Sequence, residues 1–208
     1  MKTVAVISQK GGSGKTTIAL HLAVAGALAG KNTAIIDLDP QASAAKWSDR
    51  RETDLPVVIS AQPARLGKEM DRVRDLGGEF LIIDTAPHSD SAALEAARAA
   101  DLVLIPCRPA ILDLEAITST TGLVEVTKTP ALVVMNAVAP SGPEAGSALD
   151  LLKGLGINTC PTRLGNRIAF SRALLTGCTA QEFEPDGKAA SEAQQLYMFT
   201  CSHVPEGR

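Results

Sequence analysis

The chain has 208 residues, 45% of them hydrophobic, and a formal net charge of −3. This length and apolar content suit one globular domain with a sizeable core, and no apolar run approaches the roughly 20 residues that span a bilayer. The four cysteines are widely spaced, which argues against a disulfide framework and against a clustered metal site. We therefore expect a single cytoplasmic domain, residues 1–208, with a flexible tail from about residue 201.

A glycine-rich loop follows the first predicted strand. Val4–Ile7 is a short apolar run, residues 9–17 read Gln-Lys-Gly-Gly-Ser-Gly-Lys-Thr-Thr, and residues 16–28 have helical spacing. A loop of this kind between a buried strand and a helix N-terminus binds phosphates through backbone N–H groups, and its threonine hydroxyl can ligate Mg²⁺. The predicted nucleotide-binding residues of the loop are Lys10, Gly11, Gly12, Ser13, Gly14, Lys15, Thr16 and Thr17.

Strand-like and helical patterns alternate along the rest of the chain. Further strands are predicted at 33–37, 57–60, 80–84, 102–106 and 131–136, and helices at 41–51, 63–75, 90–99, 112–126 and 144–154, with a loop at 176–188. This βαβ series predicts an α/β fold: a single-domain, three-layer P-loop NTPase with a mostly parallel sheet covered by helices on both faces. Ligands bind such sheets at the carboxyl ends of the strands.

Aspartates stand at two of these carboxyl ends. Asp37 and Asp39 end the run Ile-Ile-Asp-Leu-Asp over 35–39, and Asp84 ends an apolar strand that begins at Phe80. We expect Asp39 to face the nucleotide and Asp84 to hold Mg²⁺ directly or through water. Aspartates are also common as turn or cap residues after strands, and that alternative stays open for all three.

The run from Lys10 to Thr17 resembles the deviant Walker A loop of the ParA/MinD family of ATPases. The segments at 35–41 and 84–87 resemble the two switches of that family, and 104–113 resembles the short plasmid-partition ParA proteins (ParF-like) that lack an N-terminal DNA-binding domain. The resemblance implies ATP and Mg²⁺ as cofactors and weak intrinsic hydrolysis of ATP to ADP and phosphate. It also implies catalytic roles for Lys10 across a dimer interface, for Lys15 on the phosphates and for Asp39 on the attacking water. Thr16 and Asp84 are the implied metal-binding residues.

Two polar residues after strands have competing interpretations. Asn136 ends a strand that resembles the one whose asparagine reads adenine in this family, and an amide offers the donor and acceptor that a purine edge needs. A turn-forming asparagine is the alternative. Asp113 recurs in the resembling partition proteins, but capping of the following helix is the interpretation that we favour.

A basic segment predicts the partners. Residues 151–181 contain Lys153 and three arginines and no acidic residue, so the segment carries a net charge of +4. In the partition branch, arginines in this part of the fold bind duplex DNA without sequence preference. The predicted DNA contacts are Arg163, Arg167 and Arg172; a solvated helix face is the alternative. The implied partners are a second copy in an ATP-bound homodimer, nonspecific DNA and a separate small centromere- or cargo-binding adaptor protein.

The C-terminal segment argues against a membrane partner, because no lysine or arginine lies between Lys188 and Arg208. Leu196, Met198 and Phe199 are expected to pack a last helix onto the core. The expected function is an ATP-dependent dimerising switch that partitions plasmid DNA or positions another cargo over the nucleoid, stimulated by a partner protein and DNA. The alternatives are a small-molecule synthetase similar to dethiobiotin synthetase and a MinD-like membrane-associated positioning ATPase.

Overall fold

The computed structural model describes residues 1–204, apart from the side chain of Leu112. The strands in this part are β1 Lys2–Val6, β2 Thr33–Asp37, β3 Val57–Ser60, β4 Phe80–Asp84, β5 Leu102–Cys107 and β6 Ala131–Met135. The helices are α1 Lys15–Leu28, α2 Ser43–Ser48, α3 Leu66–Asp75, α4 Asp90–Ala99, α5 Ile111–Glu125, α6 Glu144–Gly154, α7 Ile168–Leu175, α8 Ala180–Phe183 and α9 Lys188–His203. A 3-10 turn, Pro63–Arg65, precedes α3.

The strands form one parallel sheet in the order β3-β2-β4-β1-β5-β6. Strands β2, β4 and β5 are buried along their whole length, as expected for a parallel sheet with both faces covered. Because successive side chains of a strand point to opposite faces, Val4 and Val6 enter one core while Ala5 and Ile7 enter the other. Helices α1, α2, α7, α8 and α9 contribute to the first core, and α3 to α6 to the second. The predicted three-layer α/β fold is confirmed.

The predicted loop at 176–188 was wrong in part, because it contains the short helix α8. Thr179 and Glu182 form a reciprocal capping box at its start, with the Thr179 N–H donating to Glu182 Oε2 at 2.8 Å. The box satisfies two backbone donors that would otherwise lack partners, so it stabilises a turn of helix despite the nearby glycines and proline. The Thr-x-x-Glu pattern at 179–182 was the sequence signal for it.

Helix α2 is shorter than the predicted 41–51, and its start has a specific cause. Asp37 Oδ2 accepts hydrogen bonds from the N–H groups of Ala44, at 3.0 Å, and Ala45, at 3.4 Å. A carboxylate on the first-turn amides favours the helix start through hydrogen bonding and the helix dipole. Asp37 is therefore the cap residue of α2, one of the two interpretations that the sequence left open.

The last helix, α9, packs as predicted except at one position. Leu196 is fully buried and Phe199 is half-buried against the core, but the side chain of Met198 points outward and Met198 is 56% exposed. The prediction that Met198 packs onto the core was therefore wrong, because a helix of this length has an outward face. The helix continues to His203, beyond the expected start of the tail, and residues 205–208 lie outside the described residues. None of the helices in 1–204 is both long and apolar enough to cross a bilayer.

Candidate functional site

A cavity of about 780 Å³ opens at the carboxyl ends of the central strands. Much of its wall is the phosphate loop, which runs from the end of β1 to the first turn of α1. The lining residues include Gly11, Gly12, Gly14, Lys15, Thr16, Thr17, Asp39, Arg108, Asn136 and residues 165–168. The cavity therefore gathers residues from the carboxyl-terminal ends of five strands, β1, β2, β4, β5 and β6, that lie far apart in sequence.

Asn136 touches the phosphate loop directly. Its side-chain Nδ2 donates to the carbonyl of Ser13 at 2.7 Å, and Gly14 has φ +101° with the same amide packed against its Cα. A side chain at position 14 would meet both the left-handed backbone conformation and the Asn136 amide, so this glycine is needed for two reasons. The amide braces the loop, and its lining of the cavity is compatible with contact to a bound nucleotide.

Lys15 is buried at the foot of the loop. It is 7% exposed, and its Nζ donates to the carbonyl of Lys10 at 3.1 Å. Burial lowers the pKa of this lysine, while the nearby carboxylates of Asp84 and Asp39 oppose that shift. A half-desolvated ammonium beside backbone N–H groups is suited to polyphosphate, because the anion supplies the missing partner.

Thr16 and Asp84 meet beside Lys15. Thr16 Oγ1 donates to Asp84 Oδ2 at 2.6 Å, while the other oxygen, Oδ1, is buried without a hydrogen-bond partner. Burial raises the pKa of Asp84 to about 7, with the hydrogen bond from Thr16 opposing it. Hydroxyl and carboxylate oxygens are ligands that Mg²⁺ prefers, and a cation would stabilise the buried carboxylate. The pair fits the predicted metal role, with Thr16 lining the cavity and Asp84 behind it.

The side chains of Asp37 and Asp39 have different surroundings although only one residue lies between them. Asp37 caps α2 from within the core, whereas Asp39 lines the cavity and accepts the N–H of Gln41 at 2.8 Å. Of the two carboxylates, Asp39 is thus the one that faces the cavity.

Lys10 and Ser13 are placed differently from the other predicted loop residues. The hydroxyl of Ser13 is buried without a partner, so the residue can meet phosphate only through its backbone. Lys10 turns away from the main cavity and its Nζ lies 2.8 Å from Asp113 Oδ2. Asp113 makes no side-chain cap on α5, so the capping interpretation was wrong. The Asp113 carboxylate is instead paired with Lys10, across from the first turn of α5 in which it lies.

Arg167 also departs from its predicted place on a DNA-binding surface. It lines the nucleotide cavity, and its Nε donates to Glu192 Oε1 at 3.0 Å, with Nη2 donating to the same oxygen. The ion pair with Glu192 and the lining of the cavity favour a role in the cavity over a DNA contact for Arg167. Arg163 and Arg172 are exposed and lie outside the cavity.

Arg108 is a site residue that the sequence reasoning missed. It lies in the loop after β5, lines the cavity, and packs its guanidinium over Gly12. Its position directly after a central strand of the parallel sheet was the available signal.

Comparison with known proteins agrees with this geometry. The family model described as "CobQ/CobB/MinD/ParA nucleotide binding domain" matches residues 4–178. A relative from Gloeobacter kilaueensis, "Maintenance of carboxysome distribution protein A", is 36% identical over 201 residues, covering 94% of this chain and 90% of that protein.

Two solved structures share the fold at low sequence identity. The ATP complex of an McdA variant from Cyanothece has a TM-score of 0.75 and 17% identity, covering 100% of this chain and 98% of that one. The septum site-determining protein MinD of Pyrococcus horikoshii, complexed with Mg-ADP, has a TM-score of 0.74 and 17% identity, covering 94% of each chain. The matched region contains the phosphate loop, Asp39, Asp84 and Asn136. The chain belongs to the CobQ/CobB/MinD/ParA nucleotide-binding domain family and has the ATPase core of its ParA and MinD members, which use ATP and Mg²⁺.

Proposed function

We propose that this protein is an ATP-dependent dimerising switch that positions a cargo over nucleoid DNA and resets by slow ATP hydrolysis. Lys10 is the observation that supports this most directly. Its ammonium group lies beside the phosphate loop but outside the main cavity, 33% exposed and held by Asp113. A lysine placed there is poorly positioned to bind the nucleotide of its own subunit, yet it can reach a nucleotide that a second subunit presents.

The remaining residues divide the reaction between them. Lys15 and the loop amides bind the phosphates, and Thr16 and Asp84 hold Mg²⁺, which neutralises charge on the terminal phosphate. Asp39 orients the attacking water, because its carboxylate faces the cavity, whereas that of Asp37 is hydrogen-bonded to the start of α2. Hydrolysis is slow in the free subunit and is stimulated by a partner protein and DNA.

The cargo is a plasmid or a protein body. The resemblance of 104–113 to short plasmid-partition proteins supports the first, and the 36% identical relative, named for carboxysome distribution, supports the second. In either case we propose that a small separate adaptor protein links the switch to its cargo, and that the ATP dimer binds duplex DNA without sequence preference.

Light scattering with Mg²⁺ and a non-hydrolysable ATP analogue tests the switch. The wild type should double its mass with the analogue and stay monomeric with ADP. Lys10→Ala should bind the analogue within about threefold of the wild type, because phosphate binding rests on Lys15 and the loop amides, yet it should remain a monomer. Lys31→Ala is the matched control, since Lys31 is an exposed lysine paired with Glu79 away from the site. Normal dimerisation of Lys10→Ala would reject the cross-subunit role.

A further inference from the structure

The guanidinium group of Arg167 lies flat on Gly165. A Cβ atom built on Gly165 would stand 3.1 Å from Nε, 3.2 Å from Cζ and 3.2 Å from Nη2 of Arg167. A point nearly equidistant from these three atoms at that range must lie above the plane of the group rather than beside it. A Cβ at position 165 would therefore be crowded by one face of the guanidinium group.

Glu192 holds the guanidinium group of Arg167 along one edge of its plane. Its Oε1 accepts hydrogen bonds from Nε and Nη2, and its Oε2 accepts the N–H of Gly165 at 3.0 Å. A planar arginine fork held at two donors loses little further freedom when it meets a ligand. One face and one edge are thus occupied, and the opposite face remains for the cavity that Arg167 lines.

The neighbourhood of this face suits a base better than a phosphate. The groups suited to phosphates, the Lys15 ammonium and the loop amides, belong to the start of α1, whereas Arg167 directly precedes α7. The cavity-lining residues that adjoin Arg167 in the chain, among them Asn166, Ile168, Phe170 and Leu174, carry no charge. Since Glu192 neutralises the arginine, its attraction for an anion is reduced while its flat surface stays available.

We propose that Arg167 is the residue on which the base of the bound nucleotide stacks, with Gly165 and Glu192 as the residues that hold its guanidinium plane in position. The inference rests on the nucleotide site proposed above and adds a specificity-determining residue to it. Guanidinium planes stack on π-systems, and arginines contribute in this way to the binding of nucleic-acid bases.

The test compares two ligands of the full-length protein, Mg-ATP and magnesium tripolyphosphate, which has the phosphates but no base. The wild type should bind Mg-ATP more tightly. Arg167→Ala should weaken Mg-ATP binding about tenfold and leave tripolyphosphate binding unchanged. Arg167→Lys should behave like Arg167→Ala, because lysine keeps the charge but lacks the plane. Arg98→Ala, which removes an exposed arginine on α4 outside the cavity, should change neither affinity.

Gly165→Ala keeps Arg167 and its charge and serves as the second variant should Arg167→Ala fail to fold. The added Cβ crowds one face of the guanidinium group and shifts it by a few tenths of an ångström, so Mg-ATP binding should fall while tripolyphosphate binding does not. Equal losses for both ligands would show that Arg167 binds phosphate and would overturn the inference, as would unchanged affinities in all three variants. Loss of DNA binding with intact Mg-ATP affinity would also overturn it. A wild type that binds neither ligand would instead reject the proposed nucleotide site itself.

Discussion

Lys10 and Asp113 form an ion pair within a single subunit, with Nζ 2.8 Å from Oδ2, although 103 residues separate them. Lys10 leads the phosphate loop and Asp113 lies in the first turn of α5. Only 10% of the Asp113 side chain is exposed, against 33% for Lys10. A lysine that is to reach the nucleotide of a second subunit must first leave this carboxylate. The ion pair therefore defines the resting position of Lys10 in the proposed switch.

Removing the resting partner of Lys10 should favour the dimer. Asp113→Asn keeps the size of the side chain but abolishes the ion pair, so the monomer loses an interaction that the dimer does not retain. A partly exposed pair contributes about 1 kcal/mol, and each dimer contains two subunits, so the loss of two pairs from the monomers corresponds to a roughly thirtyfold tighter ATP-dependent dimer. Sedimentation equilibrium across a concentration series measures the change. Asp71→Asn, which removes an exposed ion pair with Arg74 on α3, is the control. A weaker dimer in Asp113→Asn would mean that the carboxylate helps Lys10 to bind across the interface.

Asp39 should be needed for hydrolysis and not for binding. Asp39→Ala removes the carboxylate that faces the cavity while leaving Asp37 to cap α2. We expect ATP binding and dimerisation to persist and steady-state phosphate release to fall about a hundredfold, the typical contribution of a positioned general base. If Asp39→Ala turned over ATP as fast as the wild type in the presence of DNA and the activating partner, this assignment would be wrong.

DNA binding should depend on Arg163 and Arg172 in the ATP dimer. Both side chains are exposed, and neither takes part in an ion pair within residues 1–204. Two arginines per subunit contact about four phosphates in a dimer, so a plot of log affinity against log salt should have a slope of about −4.

Arg172→Ala should weaken binding to all DNA sequences alike and reduce the magnitude of that slope to about 2. Fluorescence anisotropy with two unrelated duplexes at several salt concentrations measures both effects. Arg98→Ala, an exposed arginine paired with Glu95 on α4, should have no effect. An ATP dimer that binds anionic vesicles and ignores DNA at low salt would favour the membrane-associated alternative.

His21 should make stability depend on pH. The ring is buried between α1 and α8: its Nε2 accepts the N–H of Ala180 at 3.0 Å, so Nδ1 carries the proton and donates to Thr17 O at 2.7 Å. Burial lowers the pKa of His21 to about 4, against opposing effects of the Thr17 hydrogen bond and Glu182. The unfolded chain, in which a histidine titrates near pH 6.5, therefore binds more protons than the folded chain between these pH values.

The contribution of His21 is thus fully present above about pH 6.5 and is lost as pH falls toward 4, by about 3 kcal/mol over the interval. Urea unfolding at a series of pH values should show this loss. His21→Gln should be less stable at pH 7 but should lack that part of the pH dependence. His203→Gln, at an exposed position near the end of α9, should keep the dependence of the wild type.

Local sequence patterns were sufficient for the architecture and the centre of the site. The glycine-rich loop, the apolar strands and the aspartates that follow β2 and β4 depend on neighbours within a few residues and on the rule that parallel strands share one carboxyl edge. For this reason Lys15, Thr16, Asp39 and Asp84 lie where the sequence predicted. Thr-x-x-Glu at the start of α8 is a local pattern of the same kind, and it predicts the capping box of that helix.

Other roles were decided only by the tertiary structure, because they depend on which side chains the packed elements bring together. Asp113 pairs with Lys10 rather than capping α5, since the sheet order sets β5 beside β1 and brings the two loops into contact. Arg167 faces the nucleotide cavity because α9 presents Glu192 to it and Gly165 leaves room for its plane. The sequence shows that an arginine lies in this basic segment. Which surface its side chain faces depends on burial and on Glu192, a partner 25 residues away.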